Sequence, residues 1–326
     1  MTKNVILFGL GSIGLKHLAL IQKEFKNTKL IILKSSKTNI SNYKNIIFVD
    51  NFNNLKNITI FCAIICTPSN THIKYAKKLS KITKKIFIEK PLSNNLSDSK
   101  NFLNFIKNED IHAYVGYNLN FDPVLLYVEN IIKKKDPLDI FSVNIESQSF
   151  LPSWRKNSDY KRSVSAQKKL GGGVLLELSH EINYLLKIFG KIKSVYAITR
   201  NSKTLDINVE DFADIIMENN YKTIFRIHLN FNSKRNVRKC EIVTKKETIE
   251  ADLINSKVLI YYKTGRIVNK KFSSKSSISY KNQFKEFFKK PSKTKKAQNI
   301  LLSIETLKII DAIRLSSKIK RKVFVK

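Results

Sequence analysis

Hydrophobic residues in the first third of the chain fall into short unbroken runs: Val5-Ile6-Leu7-Phe8, Leu30–Leu33, Ile46–Val49, Ile60–Ile65, Ile86–Ile88 and Ala113–Val115. Between these runs, Leu15, Leu18, Ala19 and Ile21, then Ile73–Leu79 and Lys100–Ile106, recur at the spacing of one helix face. Strands that are apolar on both sides and alternate with helices must be covered on both faces, which predicts an α/β half built on a doubly wound parallel sheet. From Asp122 the pattern changes: Ile140–Glu146, Ser194–Thr199, Phe212–Met217, Thr223–Phe231 and Cys240–Val243 read as strands. Within Thr223–Phe231, Ile224, Arg226, His228 and Asn230 oppose Phe225, Ile227, Leu229 and Phe231. Such alternation belongs to a sheet with one wet face, so the second half predicts an α+β unit, a mostly antiparallel open sheet with helices on one face. One strong helix follows Gly171-Gly172-Gly173, and a last one carries Ile300, Ile304, Leu307, Ile310 and Ile313 on one side. Between them Asn269–Lys296, rich in Lys and Ser, reads as a mobile surface segment with one helical turn around Gln283–Phe287.

At 326 residues the chain exceeds what one core organises well, and 42% hydrophobic residues fill two. The change of pattern places the domains at 1–120 and 121–326, the second closing on a terminal helix over 298–317. No apolar run nears the roughly 18 residues that span a bilayer, since Ile58–Cys66 is interrupted by Thr59 and closed by Thr67-Pro68. Lys3 is followed by no long apolar stretch or cleavage site, so a cytoplasmic protein with little ahead of its first strand, and no membrane partner, is expected. Three cysteines cannot all pair, and Cys62, Cys66 and Cys240 read as reduced core thiols. No metal is expected.

A formal charge of +34 suggests nucleic acid as a partner, but only nine of the 60 basic residues are arginine. Lysines spread along a chain rich in Asn and Ile reflect A/T-rich codons, whereas dedicated readers cluster Arg with aromatics. No specific nucleic-acid partner is expected.

The candidate chemistry starts where Phe8 runs into Gly9-Leu10-Gly11-Ser12-Ile13-Gly14 and then into a helix. In that context Gly9 turns the chain, Gly11 lets the backbone approach a pyrophosphate, and Gly14 packs helix on strand. The phosphates then lie at a helix N-terminus, where amides such as those of Ser12 and Ile13 and the helix dipole offset their charge. This is the fingerprint of a dinucleotide-binding Rossmann domain. About twenty residues beyond Gly14, where an acid binds the ribose 2′-hydroxyl of NAD, stand Lys34, Ser35, Ser36 and Lys37. Two cations and two hydroxyls favour the 2′-phosphate of NADP marginally over NAD; two more scattered lysines remain the other reading. Two further strand ends carry Thr67-Pro68-Ser69-Asn70-Thr71-His72 and Glu89-Lys90-Pro91. Carboxyl ends of parallel strands form the ligand rim, so Thr67, Pro68, Asn70, His72 and Glu89 are expected on the cofactor and Lys90 in the same crevice. Pro91 restricts Lys90 to an extended backbone, which aims its side chain.

These motifs, followed by Gly171-Gly172-Gly173-Val174-Leu175-Leu176-Glu177-Leu178-Ser179-His180-Glu181-Ile182-Asn183, resemble the Gfo/Idh/MocA family of NAD(P)-dependent oxidoreductases, many of which act on sugars and cyclitols. The resemblance runs from the first strand to about Gly190 and returns at Ser303-Ile304-Glu305 and Ala312-Ile313. Leu151–Arg155 and Asp159–Ala166 resemble members of surface-polysaccharide pathways. It implies that Lys90 and His180 serve proton transfer with Glu177 in support, because oxidising an alcohol needs a base for the hydroxyl proton and the reverse needs an acid. It also implies a sugar, nucleotide-sugar or cyclitol substrate and a homodimer or homotetramer formed through the C-terminal sheet. Asn118, Trp154, Arg155, Tyr160 and Asn183 are then candidate substrate contacts, Trp154 offering a platform for a sugar face or serving equally as core filler.

Several positions depart from the family pattern. Glu177 replaces a common Asp, three residues from His180 on what reads as one helix face. Asn183 replaces a frequent Asp, and Asn120-Phe121-Asp122-Pro123 stands for Arg-Phe-His-Pro. The other function classes are a non-catalytic NAD(P)-binding sensor or partner protein, against which Lys90 and His180 together speak, and a nucleic-acid-binding protein.

Overall fold

The computed structural model describes residues 2–33, 46–49, 51–55, 58–155, 158–273, 277–289 and 297–325. Lys34, Ser35, Ser36 and Lys37 lie outside the described residues. Two compact units emerge, Met1–Tyr117 with Lys281–Ile304, and Asn118–Tyr280 with Glu305–Lys326.

In the first unit the chain runs β1 (Lys3–Phe8), α1 (Ser12–Glu24), β2 (Thr28–Leu33), β3 (Ile46–Val49), β4 (Cys62–Ile65), α2 (His72–Leu79), β5 (Lys85–Glu89), α3 (Leu96–Asn108) and β6 (His112–Gly116). Every pairing is parallel and the order is β3-β2-β1-β4-β5-β6. The order reverses between β1 and β4, so the carboxyl ends of those strands flank the switch point where doubly wound sheets bind ligands. The apolar runs do what their composition requires: Val5, Ile6 and Leu7, Leu30–Leu33 and Ile86–Ile88 are each at most 4% exposed. Each such side chain contributes about 1.5–3 kcal/mol on burial.

The second unit continues with α4 (Pro123–Ile132), β7 (Ile140–Phe150), α5 (Val174–Glu177), α6 (Ser179–Phe189), β8 (Ile192–Arg200), β9 (Phe212–Asn219), β10 (Ile224–Asn230), β11 (Asn232–Thr244), β12 (Glu247–Asp252), β13 (Lys257–Tyr262) and β14 (Ile267–Lys271). After these come α7 (Ser277–Phe288) and α8 (Gln298–Ile319), whose residues Lys281–Ile304 belong to the first unit, and β15 (Val323–Phe324). The sheet order is β14-β13-β12-β11-β7-β10-β9-β8-β15, antiparallel except for β7 with β10. The alternation in β10 holds as predicted: Phe225, Ile227 and Leu229 are buried, and Arg226 is exposed. On the outer face Asp214 meets His228 at 2.7 Å, Arg226 donates to Asn144 at 3.0 Å, and Asn144 donates to Glu241 at 2.7 Å. At one flank of that face Tyr196, Ile198 and Ile216 are exposed.

Three expectations need correction. The helix after the triple glycine is two helices, α5 and α6, broken at Leu178 with φ −96° and ψ 25°. Glu177 and His180 therefore do not share one helix face; a single non-helical residue redirects the chain between them. The Lys/Ser-rich segment is not loop with one turn: β14 reaches Lys271 and α7 has three turns. Ser279, Gln283, Phe284 and Phe287, spaced four, one and three apart, are buried, so one face packs while the lysines stay wet. The second sheet is also larger than predicted, with β12, β13, β14 and β15 added and β11 beginning at Asn232.

Candidate functional site

At the switch point β1 turns at Gly9, whose φ of +98° suits glycine, and a Cβ there would lie 2.7 Å from the Cys66 carbonyl carbon. A Cβ on Gly14 would meet the Gly9 carbonyl oxygen at 1.9 Å, so helix, turn and β4 are in backbone contact. Gly11 differs. Its φ of −70° and ψ of −175° suit any residue, and a Cβ there would meet nothing within 4 Å. Neither backbone conformation nor internal packing requires glycine at this position. It is the N-cap of α1, has no side chain to cap with, and is followed by a first turn without acidic residues. Such a helix end accepts a phosphate on its amides, with exposed Ser12 and half-exposed Ile13 beside it, so the residues present fit a dinucleotide pyrophosphate.

The neighbouring rim is held by short polar contacts. Thr71 Oγ1 lies 2.8 Å from Thr67 Oγ1 and 2.7 Å from the Pro68 carbonyl, closing the turn into α2 and leaving Asn70 exposed. His72 is buried between two loops, Nε2 2.7 Å from the Thr67 carbonyl and Nδ1 2.9 Å from the Pro91 carbonyl. Burial holds its imidazole below the usual histidine range, opposed by those carbonyls and by the Glu89 carboxylate. Burial likewise pushes the Cys66 thiol up, and Glu89 adds to it. Glu89 ends β5 with its carboxylate buried against His17 of α1, and its other oxygen accepts from the Lys90 N–H at 3.1 Å. Lys90 is half-buried, and its bond to Pro91 is cis. His17 escaped the sequence reading; its only signal is a place one turn after Gly14.

In the second unit a Cβ on Gly172 would lie 2.3 Å from the Val164 carbonyl oxygen, so the glycines before α5 admit the 163–166 turn. Glu177 is the half-buried last residue of α5; His180 is buried in the first turn of α6. Asn183 is 1% exposed with both amide ends used: it accepts from Asn120 at 2.8 Å and donates to Thr306 at 2.9 Å. The two departures at 120 and 183 are thus partners, a neutral amide pair where the family pattern has residues of opposite charge. Asp122, a further departure, caps α4 by accepting from the Val124 N–H at 2.9 Å, with Pro123 at the first helical position. Burial pushes the Asp122 carboxyl up. Asn118 is buried and donates to Ser279 at 3.0 Å. Trp154 donates to Ser149 at 2.9 Å and sets its ring edge-on to Phe231, with 37% of the residue exposed. The Tyr160 hydroxyl donates to the Leu205 carbonyl at 2.9 Å, and Arg155 is exposed. Among the described residues no group of three or more His, Cys, Asp or Glu could hold a metal ion, and no helix is long and apolar enough to cross a membrane.

Residues 3–117 match the oxidoreductase family with an NAD-binding Rossmann fold, and residues 128–250 match the GFO/IDH/MocA C-terminal domain. The uncharacterized oxidoreductase YrbE of Bacillus subtilis is 26% identical over 206 residues, 60% of this chain and 58% of that protein. Levoglucosan dehydrogenase in complex with NADH and levoglucosan superposes with a TM-score of 0.84 at 16% identity, covering 100% of both chains. The WlbA dehydrogenase of Bordetella pertussis in complex with NADH and UDP-GlcNAcA gives 0.79 at 16% identity, covering 100% of this chain and 99% of that one. These likenesses show the same fold. With both of its halves matched, the chain belongs to the Gfo/Idh/MocA family of oxidoreductases, whose first domain is an NAD-binding Rossmann fold.

Proposed function

We propose that this chain is a cytoplasmic NAD(P)-dependent dehydrogenase or reductase of a CH–OH group on a sugar, nucleotide-sugar or cyclitol, serving surface-polysaccharide sugar synthesis. The observation that carries the reading is Gly11, a glycine that neither the backbone nor the packing of the protein needs, at the N-terminus of α1 beside the switch point. In this reading Gly9, Gly11, Ser12, Ile13 and Gly14 seat the pyrophosphate, with Thr67, Pro68 and Asn70 along the same rim, and residues 1–120 form the cofactor domain. When bound, the dinucleotide gives or takes the hydride. Lys90 and His180 give or take the substrate hydroxyl proton, and Glu177 supports the transfer.

Residues 121–326 then form the substrate domain. Because the polar ends of Trp154 and Tyr160 are engaged within the protein, their ring faces, with the exposed Arg155, are the surfaces left for a sugar. Asn118 and Asn183 act on substrate through the side chains they hold, given their internal hydrogen bonds. Lys34 by its charge and Ser35 by its hydroxyl favour NADP. A second copy docks on the outer face of the nine-stranded sheet, where exposed Tyr196, Ile198 and Ile216 adjoin a ladder of both charge signs.

The test is a turnover scan of purified protein with NAD and NADP against UDP-sugars, levoglucosan and free cyclitols. Reduction of one cofactor by one sugar class is the expected result. Tight NADH binding with no turnover on any of them replaces this reading with the non-catalytic sensor.

A further inference from the structure

Glu89 is 6% exposed, and a carboxylate taken out of water is strongly penalised unless its oxygens find donors. Three elements are shaped around it. His17 of α1 meets Oε1, and the His17 ring is held edge-on by Phe87, at 5.7 Å and 84°, and by Phe284, at 4.9 Å and 86°. Gly116 of β6 pairs with Glu89 across the sheet, and a Cβ there would stand 3.2 Å from Oε1 and 2.8 Å from the Phe87 ring. Oε2 accepts from the Lys90 N–H at 3.1 Å. On the far side of Lys90, His72 approaches the Pro91 carbonyl.

We propose that Glu89 is a positioning residue: clamped by His17, its buried carboxylate holds the peptide of Lys90 and makes no contact with the dinucleotide. His17 lies one turn beyond Gly14 on the helix whose N-terminus carries the proposed phosphate seat. The pair therefore ties that helix to the turn bearing Lys90 and keeps the cofactor seat and the proton-transferring lysine in register. Gly116 is the complement, a strand position left without a side chain where the Phe87 ring, at 2.8 Å, and the Glu89 carboxylate, at 3.2 Å, would both crowd a Cβ.

The inference rests on the proposed role of Lys90, yet its test needs no substrate, so the two fail separately: unchanged turnover in Lys90→Met removes the role and leaves the measurements below standing. Glu89→Gln and Glu89→Ala are compared by residue-resolved amide hydrogen exchange and by calorimetric titration with NADH. In Glu89→Ala the Lys90 amide exchanges about tenfold faster, as loss of one hydrogen bond gives, while amides of β1 keep their protection. In Glu89→Gln the amide oxygen still accepts, so Lys90 protection is rescued and NADH affinity stays within about twofold, well short of the effect of losing a charge-assisted contact. Unchanged Lys90 exchange in a folded Glu89→Ala overturns the proposal. So does a tenfold weaker NADH affinity in Glu89→Gln with Lys90 exchange intact, which makes the carboxylate a cofactor ligand. The near-isosteric Gln variant decides even where the Ala variant fails to fold.

Discussion

Replacing Gly11 by alanine separates the fold from its ligand more cleanly than any other change at the glycine turn. The added methyl meets nothing within 4 Å, and φ −70° is open to any residue. Alanine restricts the unfolded chain and thereby stabilises by about 0.4–1 kcal/mol. Against this, alanine is a poorer N-cap than glycine by about 0.5–1 kcal/mol. The two offset, so the melting temperature of Gly11→Ala stays within about 2 °C of wild type. The bound pyrophosphate is a different matter. A methyl in its approach path displaces at least one charge-assisted hydrogen bond from the helix amides, worth about 1.5–3 kcal/mol. At 1.4 kcal/mol per decade this weakens NADH by roughly ten- to 150-fold. Gly14→Ala is the contrast, since its methyl would sit 1.9 Å from the Gly9 carbonyl oxygen and should cost fold stability first. Calorimetric titration with NADH and NADPH, beside a thermal melt, reads both quantities. A folded Gly11→Ala variant with wild-type affinity for both cofactors refutes the reasoning and removes the phosphate seat.

Lys90→Met and His180→Ala should each lower turnover by roughly a hundred- to ten-thousand-fold while NADH affinity stays nearly intact; wild-type turnover in Lys90→Met, measured on the true sugar, dismisses the lysine. Lys34→Asp should shift the NADP/NAD ratio of kcat/KM toward NAD, because a carboxylate accepts ribose hydroxyls and repels a phosphate; an unaltered ratio makes Lys34 bystander surface. DNA binding, followed by fluorescence anisotropy, should be independent of sequence and fade steeply from about 50 to 200 mM salt by counterion release, and sequence-selective binding at physiological salt contradicts this. Burial opposes ionisation of Glu129, but Lys133 and Lys187, each at 2.7 Å, outweigh it and hold the carboxyl below its usual range. The stability so gained is present above the unfolded pKa of about 4.3 and lost as pH falls through the lower folded value. Glu129→Gln should therefore flatten the fall of melting temperature below about pH 4.3, and a slope equal to wild type excludes the ion pairs as its cause.

The parallel sheet was legible because strands covered on both faces must be apolar throughout, and Val5–Phe8 and Ile86–Ile88, closed by Gly9 and by Pro91, are too short for buried helices. The same logic placed Thr67–His72 and Glu89–Pro91 at strand ends. It failed where burial is one-sided in a lysine-rich background: Glu247–Asp252 and Lys257–Tyr262 hide their inward Ile249, Val258 and Ile260 among charges. In α7 the buried Gln283 and Ser279 look like surface residues, and only packing against aromatic side chains makes Phe284 and Phe287 a core face. The break at Leu178 carries no Gly or Pro to announce it. The Glu89–His17 contact joins residues 72 apart, and the Asn120–Asn183 pair joins residues 63 apart, separations that local pattern does not encode.

The nine-stranded sheet ends at β14, whose sequence Ile-Val-Asn-Lys-Lys leaves Lys270 and Lys271 exposed, and at its other border in a strand of two residues, β15. A sheet border offers unpaired amides to any extended peptide, and growth by such addition is how native proteins begin to form fibres. A tenth strand laid along β14 would have to cover the exposed Lys270 and Lys271, and at β15 it would find only two residues of strand to pair with. The lysines exposed at this border therefore do more than solvate the chain: they disfavour the addition of a further strand at the long open edge of the sheet.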